Sequence, residues 1–465
     1  MSEFRIEKDS MGEVKVPKNA YYQAQTQRAV DNFPISGIRM KRNVIRAFGI
    51  IKKSAALANK ELGLLNEDVV RLLVAASQEV IEGKLDDHFP IDIYQTGSGT
   101  SSNMNANEVI ASRANEMVKE KKIDVKIHPN DHVNYGQSSN DVFPTALRIA
   151  AILTLNETFF PGLTALSKSL KSMGQKYAHV AKTGKTHLMD AMPVTFKQVF
   201  DGYAHQVDNG IARVKSSIER MSELPQGGTA VGTGINTHEK FGQTFARQVT
   251  IETGHTFKEA INHFEAQGTL DAPMELSSLL KTYATGLMKI ANDFRWMNSG
   301  PNSAISEIKI APIQPGSSIM PGKVNPVIEE SVCMVCAQAI GNDVTVAIAN
   351  QSGNFELNVM YPVACHNLLE SIELLGNASK NFAERSVSVL TVNEKNVKDK
   401  LFKNPILVTA LNPIIGYDKA ATIAKKAYAE DRSLIDVALE ETKLSRAELE
   451  KYLDPVKMTR GGFTT

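Results

Sequence analysis

The stretch PVIEESVCMVCAQAIGNDVTVAIA, residues 326–349, contributes most to the choice of fold. Apolar residues such as Ile328, Val332 and Val335 recur every three or four positions, which predicts a long α-helix. Met334 and other apolar residues extend this surface around much of the circumference. A helix of this kind has to be covered on most sides. We therefore predict that it lies at the centre of a helical bundle and that other copies of the chain cover it.

Long helical patterns also fill most of the remaining chain, and almost no alternating strand pattern lies between them. This organisation predicts an all-α protein built around a long helical bundle. Residues 1–40 predict irregular structure, and the highly charged segment after Asn393 predicts short helices in a small C-terminal domain. The other predicted helices cover residues 43–61, 67–83, 103–120, 150–178, 193–222, 271–298 and 362–390.

Composition narrows the class of protein. The 465 residues carry 52 Lys and Arg against 51 Asp and Glu, so no excess charge favours nucleic acid or an anionic membrane. No apolar run reaches the roughly 18 residues of a membrane span. Three cysteines cannot form a disulfide framework, and an acidic N-terminal segment without an apolar core does not resemble a secretory or mitochondrial signal. We therefore expect a cytoplasmic protein.

Five polar islands interrupt the predicted helices. Each one alone is typical of a capped helix connection. Together they share short hydrogen-bond donors on tight backbones and few free carboxylates, which favours a site for a small anion held by neutral donors and one cation. The islands are residues 96–103, 128–141, 184–190, 227–236 and 316–326.

The fifth island is the most informative. Asn325 and Pro326 predict a helix start, and Lys323 precedes the positive end of that helix. A carboxylate or a developing oxyanion would be stabilised there. Ser317 and Ser318 lie between glycines, as in a loop that closes over a ligand.

Other chemistries fit less well. The glycines of the fourth island lack the pattern of a phosphate loop. Cys333 and Cys336 lie one turn apart in the apolar helix without a second cysteine pair, so core packing is the default. His128 and His132 have no obvious acidic third ligand. We therefore predict no metal site at these cysteine and histidine pairs.

The islands, in this order, resemble the aspartase/fumarase superfamily. The loop GSSIMPGKVNP, residues 316–326, is similar to the superfamily signature. Residues 8–12, 23–28 and 411–421 also resemble the family, so the likeness covers essentially the whole chain.

Within the superfamily the chain is most similar to class II fumarases. His187 stands where aspartases typically carry Gln, and Ser98 matches the fumarase pattern. Residues 358–362 are slightly more similar to aspartases. Val125 replaces a basic residue that is often found three positions before His128. Aspartate ammonia-lyase is the alternative activity. An inactive structural protein, as among crystallin relatives, is a second alternative.

The resemblance implies a three-domain all-α fold. Its central domain supplies a five-helix bundle, and four subunits form a twenty-helix core whose active sites are each built from three subunits. The corresponding domains are 1–137, mostly helical; 138–391, the helical bundle; and 392–465, a small helical domain.

The resemblance also implies a reaction, the reversible and stereospecific hydration of fumarate to L-malate in the tricarboxylic acid cycle. It implies neither a metal nor an organic cofactor for this reaction. Ser317 would remove the C3 proton of malate, and Lys323 with Asn325 would stabilise the aci-carboxylate intermediate. His187, oriented by Glu330, would protonate the leaving hydroxyl. The implied substrate-binding residues are Ser98, Gly99, Thr100, Ser138, Ser139, Asn140, Thr186, Ser318, Lys323, Val324 and Asn325. A second, non-catalytic anion site would comprise His128, Pro129, Asn130 and Asp131.

Overall fold

A computed structural model describes residues 3–121 and 124–463, and helices dominate these residues. The strands are short and pair two by two. They are β1 (Phe4–Asp9), β2 (Gly12–Pro17), β3 (Ala181–Thr186), β4 (Met189–Thr195), β5 (Glu223–Leu224), β6 (Lys258–Glu259), β7 (Ile308–Lys309) and β8 (Thr391–Val392).

The α-helices range from one turn to more than seven. They are α1 (Ala24–Asn32), α2 (Arg42–Glu61), α3 (Glu67–Ile81), α4 (Thr100–Lys121), α5 (Ser139–Thr154), α6 (Phe160–Lys176), α7 (Phe196–Met221), α8 (Phe241–Thr253), α9 (His263–Gly268), α10 (Asp271–Asn298), α11 (Val327–Gln351), α12 (Tyr361–Arg385), α13 (Glu394–Phe402), α14 (Asn412–Ile415), α15 (Tyr417–Ala429), α16 (Leu434–Glu441), α17 (Arg446–Tyr452) and α18 (Pro455–Met458). The shorter 3-10 segments are Asp86–His88, Val387–Val389 and Pro405–Leu411, and the π-helical segments are Pro129–Val133 and Leu155–Phe159.

The described residues form two compact units. Unit 1 draws on the ranges Met1–Pro161, Gly210–Ala284 and Cys336–Asn377. Unit 2 draws on Gly162–Asn209, Thr285–Val335 and Ala378–Thr465. The three-domain division stays a prediction.

Unit 1 is organised around α2, which packs against α3, α5 and α8, while α4 packs against α3 and α5. Phe48 and Ile51 recur on the apolar face of α2 and are fully buried. The Phe48 ring meets Phe143 of α5 edge to face, with centroids 5.9 Å apart. This packing holds the beginnings of α4 and α5 in place.

Unit 2 contains the antiparallel hairpin of β3 and β4 and the C-terminal helices. α13 packs against β3, α18 packs against β4, and α15 packs against the 3-10 segment Pro405–Leu411. Leu411, Ile423, Val437 and Leu449 are fully buried in one apolar cluster. The charged C-terminal segment therefore has its own small core, and the hairpin of β3 and β4 packs against it.

The prediction of long helices is confirmed, with some corrections. The segment 1–40, predicted to be irregular, contains the hairpin of β1 and β2 as well as α1. The hairpin of β3 and β4 was also missed, because its strands are short and one includes a bulge between Thr183 and Lys185. Helix α5 begins at Ser139 rather than near residue 150, since its polar first turn resembles a loop in sequence.

Helix α11 keeps an exposed apolar surface in the single chain. Met334, Val344 and Ile348 are 67%, 55% and 48% exposed, and they follow one another at helical spacing. We call these residues, with Ala337 and Gly341 between them, the α11 stripe. Such a continuous apolar surface is unusual on a monomeric protein.

Candidate active site

Two helix N-termini meet in unit 1. Helix α4 begins at Thr100 and α5 at Ser139. The Asn103 side chain, in the first turn of α4, donates from Nδ2 to Ser139 Oγ at 3.0 Å. Because the N-terminus of a helix carries free N–H groups and partial positive charge, two of them side by side favour an anion.

The loop before α4 requires glycine at two positions. Gly99 has a φ of +77°, and a Cβ there would overlap the Phe143 ring. A Cβ at Gly97 would overlap the Val359 carbonyl oxygen. The tight loop brings Ser98 Oγ within 2.8 Å of Thr100 Oγ1, so the two hydroxyls share a hydrogen bond.

The start of α5 is closed by a capping box. Ser138 and Asp141 exchange hydrogen bonds between their side chains and backbone N–H groups. The Asp141 carboxylate also accepts the N–H groups of Gly227 and Thr229, at 3.1 and 2.9 Å. The Asn140 side chain donates to the Ala230 carbonyl oxygen at 2.8 Å. The fourth polar island therefore supports the predicted binding residues at the start of α5.

Two charged residues are buried next to the starts of α4 and α5. Lys52 is 1% exposed and Asp141 is 0% exposed. Burial lowers the pKa of Lys52 to about 7, and burial raises the pKa of Asp141 to about 6. Lys52 was not among the predicted site residues, and Asp141 belonged to the second polar island without a predicted role. The signal for Lys52 was a lysine within the apolar face of a predicted helix, where charged side chains are rare.

In unit 2, His187 lies at the tip of the hairpin of β3 and β4. His187 and Leu188 form its two-residue turn with φ values of 55° and 61°. Hairpin turns of this kind require positive φ at both positions and favour Asn and Gly. Holding two larger residues there costs of order 1–3 kcal/mol each, which is typical of functional sites. Thr186 and His187 are both exposed.

The base of the hairpin is held by a buried ion-pair cluster. Lys182 Nζ lies 2.9 Å from a Glu307 carboxylate oxygen, and Lys185 also pairs with Glu307. Lys182 is 6% exposed and Glu307 is 4% exposed. Burial lowers the pKa of Lys182, while the nearby Glu307 carboxylate opposes that shift. The cluster orients the strand that leads to His187.

The loop 316–326 folds back on itself. Gly316 N donates to Lys323 O at 3.0 Å, and the Asn325 side chain donates to Gly316 O at 2.6 Å. We predicted Asn325 as a helix cap, but no bond from its side chain to the first turn of α11 occurs among the described residues. Its amide instead closes the loop, and Lys323 and Val324 remain exposed.

The Ser317 hydroxyl has a distinctive environment. Its Oγ accepts the backbone N–H groups of Ile319 and Met320, at 3.2 and 3.0 Å. Two N–H donors aimed at one oxygen stabilise negative charge on it. Ser318 is exposed and makes no side-chain hydrogen bond within residues 124–463. The arrangement therefore distinguishes the two serines, and the role of Ser317 as the base stays a prediction.

The predicted pair of His187 and Glu330 is not joined within one chain. No hydrogen bond or ion pair links their side chains in the part of the chain that is described. Glu330 lies half-buried in the first turn of α11. Its neighbour Glu329 is buried, and burial raises its pKa although Ser386 donates a hydrogen bond to it. The orientation of His187 by Glu330 stays a prediction.

The predicted second anion site is a π-helical turn. His128 Nδ1 accepts the N–H groups of Asn130 and Asp131, both at 3.2 Å, and Pro129 begins the turn. The His128 side chain is 48% exposed. Its role in anion binding stays a prediction.

Comparisons with known proteins show which family the chain resembles. A family model described as lyase matches residues 12–341, and one described as fumarase C C-terminus matches residues 407–460. A class II fumarate hydratase from Pseudomonas aeruginosa is 51% identical over 464 residues, covering 100% of both chains. One from Halobacterium salinarum is 51% identical over 464 residues, covering 100% of this chain and 99% of the relative. The crystal structure of a class II fumarase from Schistosoma mansoni has a TM-score of 0.95 and 37% identity, over 98% of this chain and 99% of that one.

Proposed function

The chain belongs to the class II fumarate hydratases, and from this premise we propose that it works as a homotetramer that hydrates fumarate reversibly and stereospecifically to L-malate. The match at 51% identity along the full length of such an enzyme carries the function. The two adjacent helix N-termini support it, because their neutral donors suit a dicarboxylate.

The proposed chemistry begins at Ser317 in the dehydration direction. Two backbone N–H groups stabilise the Ser317 oxygen as an alkoxide, which takes the C3 proton of malate and becomes the neutral hydroxyl. The electron pair moves into the neighbouring carboxylate and forms an aci-carboxylate dianion. Lys323 and the start of α11 stabilise that charge, with about 3 kcal/mol for each well-placed donor. His187 then protonates the C2 hydroxyl, which leaves as water.

The remaining predicted residues bind the substrate. Ser98, Thr100, Ser139 and Asn140 donate to one carboxylate at the two helix N-termini of unit 1. Thr186, Ser318 and Asn325 contribute from the hairpin and the loop 316–326. We propose that the turn beginning at His128 binds a second anion, and that the protein acts in the cytoplasm within the tricarboxylic acid cycle.

The exposed α11 stripe supports the assembly. Length and composition alone would allow α11 to cross a membrane. However, its Asp343 is 2% exposed and pairs with Lys281, a charged contact typical of a water-soluble core. We therefore propose that other copies of the chain cover the stripe. Val344→Glu should dissociate the tetramer in light scattering and abolish activity, whereas Tyr428→Glu, at an exposed position of α15, should change neither. A tetramer that tolerates Val344→Glu would contradict this interface.

The function itself is tested by the loss of fumarate absorbance when purified protein is added, with a chelator present throughout. We expect hydration to proceed, and the product to be L-malate alone. Ammonia release from aspartate serves as the parallel assay and should be negligible. Activity that disappears in the chelator and returns with a metal would contradict the proposed metal-free reaction.

A further inference from the structure

Lys52 lies in the interior of unit 1 and takes no part in the chemistry described above. Its ammonium donates to Asn103 Oδ1 at 2.8 Å, to Asn134 Oδ1 at 2.9 Å and to Gln137 Oε1 at 3.0 Å. A protonated lysine has three donors and no acceptor. All three donors are therefore used, each by the oxygen of a side-chain amide.

This arrangement determines how the three amides are turned. Since the ammonium can only donate, each amide presents its oxygen to Lys52 and its NH2 group to something else. The Asn103 NH2 group faces Ser139 Oγ at 3.0 Å and also Asn134 Oδ1 at 3.2 Å. The Asn134 NH2 group donates to the Gln137 carbonyl oxygen at 3.1 Å.

The consequence reaches the Ser139 hydroxyl. Its oxygen accepts a hydrogen bond from Asn103, so its own proton has to point elsewhere. No hydrogen-bond acceptor for that proton occurs within residues 3–121 and 124–463. Ser139 is only half-buried, at the first residue of α5. The Ser139 proton is therefore available for donation to a bound group.

We infer that Lys52, acting through Asn103, orients the Ser139 hydroxyl as a hydrogen-bond donor to a substrate carboxylate. This inference rests on the proposed function, because it needs a carboxylate at Ser139. Lys52 is a positioning residue here and does not touch the substrate. A hydroxyl turned the other way would present lone pairs to the carboxylate and repel it.

A simpler role for Lys52 is to hold the turn 133–139 together without affecting the hydroxyl. The two roles differ in how Lys52 and Ser139 depend on each other. If Lys52 acts through Ser139, its substitution should matter only while the hydroxyl is present. A double-mutant cycle measures this dependence directly.

The experiment compares assembled wild-type protein with Lys52→Gln, Ser139→Ala and the double variant. KM and kcat are measured for fumarate, and calorimetry measures the Kd of succinate, a dicarboxylate that does not react. Lys53→Gln is the matched control, since Lys53 follows Lys52 in α2 but pairs with Glu252 at 2.6 Å. Melting temperature and particle size are recorded for every variant.

We expect Ser139→Ala and Lys52→Gln each to raise KM and the succinate Kd about tenfold, as for a lost hydrogen bond to a charged group. The double variant should stay within about twofold of Ser139→Ala. Lys53→Gln should match the wild type. Independent effects of Lys52→Gln and Ser139→Ala that multiply, or an unchanged KM in Lys52→Gln, would overturn the inference.

Asn103→Asp provides a second route if Lys52→Gln does not assemble. The substituted carboxylate keeps a partner for Lys52 but accepts the Ser139 proton and turns it away from the substrate. We expect a KM increase larger than that of Ser139→Ala, and an unchanged KM would overturn the inference. Wild-type protein that neither hydrates fumarate nor binds succinate would instead refute the proposed function, and the inference with it.

Discussion

The ammonium of Lys182 lies 2.9 Å from the carboxylate of Glu307, and less than one tenth of the surface of each residue is exposed. The two residues are more than a hundred positions apart in sequence. Lys182 belongs to β3, five residues before His187, which is the first residue of the turn. The position of His187, the proposed acid–base residue, therefore depends on a buried contact with Glu307, which is distant in sequence.

Substitution of Glu307 should destabilise the hairpin. Glu307→Gln leaves the Lys182 ammonium buried without its counter-charge, and breaking a buried pair in this way costs about 3–5 kcal/mol. We expect a lower melting temperature and a lower kcat, measured at one protein concentration. Glu430→Gln is the control, because Glu430 pairs with Arg432 at the surface and should matter little. Equal effects of the two substitutions would contradict the role of Glu307.

Gly184 should be needed for the bulge in the same hairpin. A Cβ at this position would overlap the Met192 carbonyl oxygen on the facing strand. Gly184→Ala should therefore displace the turn and lower kcat by at least tenfold, the effect of a small misplacement of a catalytic group. Gly202→Ala, in α7, meets no atom of residues 3–121 and 124–463 within 4 Å and should retain activity. Full activity of Gly184→Ala would show that the bulge is dispensable.

The two serines of the loop 316–326 should differ in their effect on turnover. Ser317→Ala removes the hydroxyl that two backbone N–H groups polarise, so kcat should fall by about 10²–10⁴-fold. Ser318→Ala should have a smaller effect, since its side chain makes no comparable contacts. Steady-state kinetics of both variants in both directions tests this order. The reverse order would move the base to Ser318.

A site shared between subunits predicts complementation. His187→Asn and Lys323→Ala should each be inactive when refolded alone. When the two are unfolded and refolded together, a site that takes these residues from different chains has both intact about one time in four. Activity should then return to roughly a quarter of the wild-type value. Mixed tetramers without any activity would place both residues in one chain.

The helical architecture was largely accessible from sequence, because helix formation repeats every 3.6 residues and the repeat is local. Helix α10 was predicted at 271–298 and begins and ends at those residues. Helix α11 was predicted within two residues at each end. The hairpin that carries His187 was not predicted, since its strands, AKTGKT and MDAMPVT, show no clear alternation of apolar and polar residues.

The amino-acid sequence by itself determined which side chains are available for catalysis. It identified Ser317, His187 and Lys323 as candidates, from their residue types and from their resemblance to a known family. Only the tertiary structure revealed Lys52, Asp141 and Glu307 as supporting charges. A buried charge is stabilised by partners that packing brings from distant parts of the chain. Those partners cannot be identified from composition or from hydrophobic periodicity. The direction of the Ser139 hydroxyl depends on such contacts, and so it was decided by the fold.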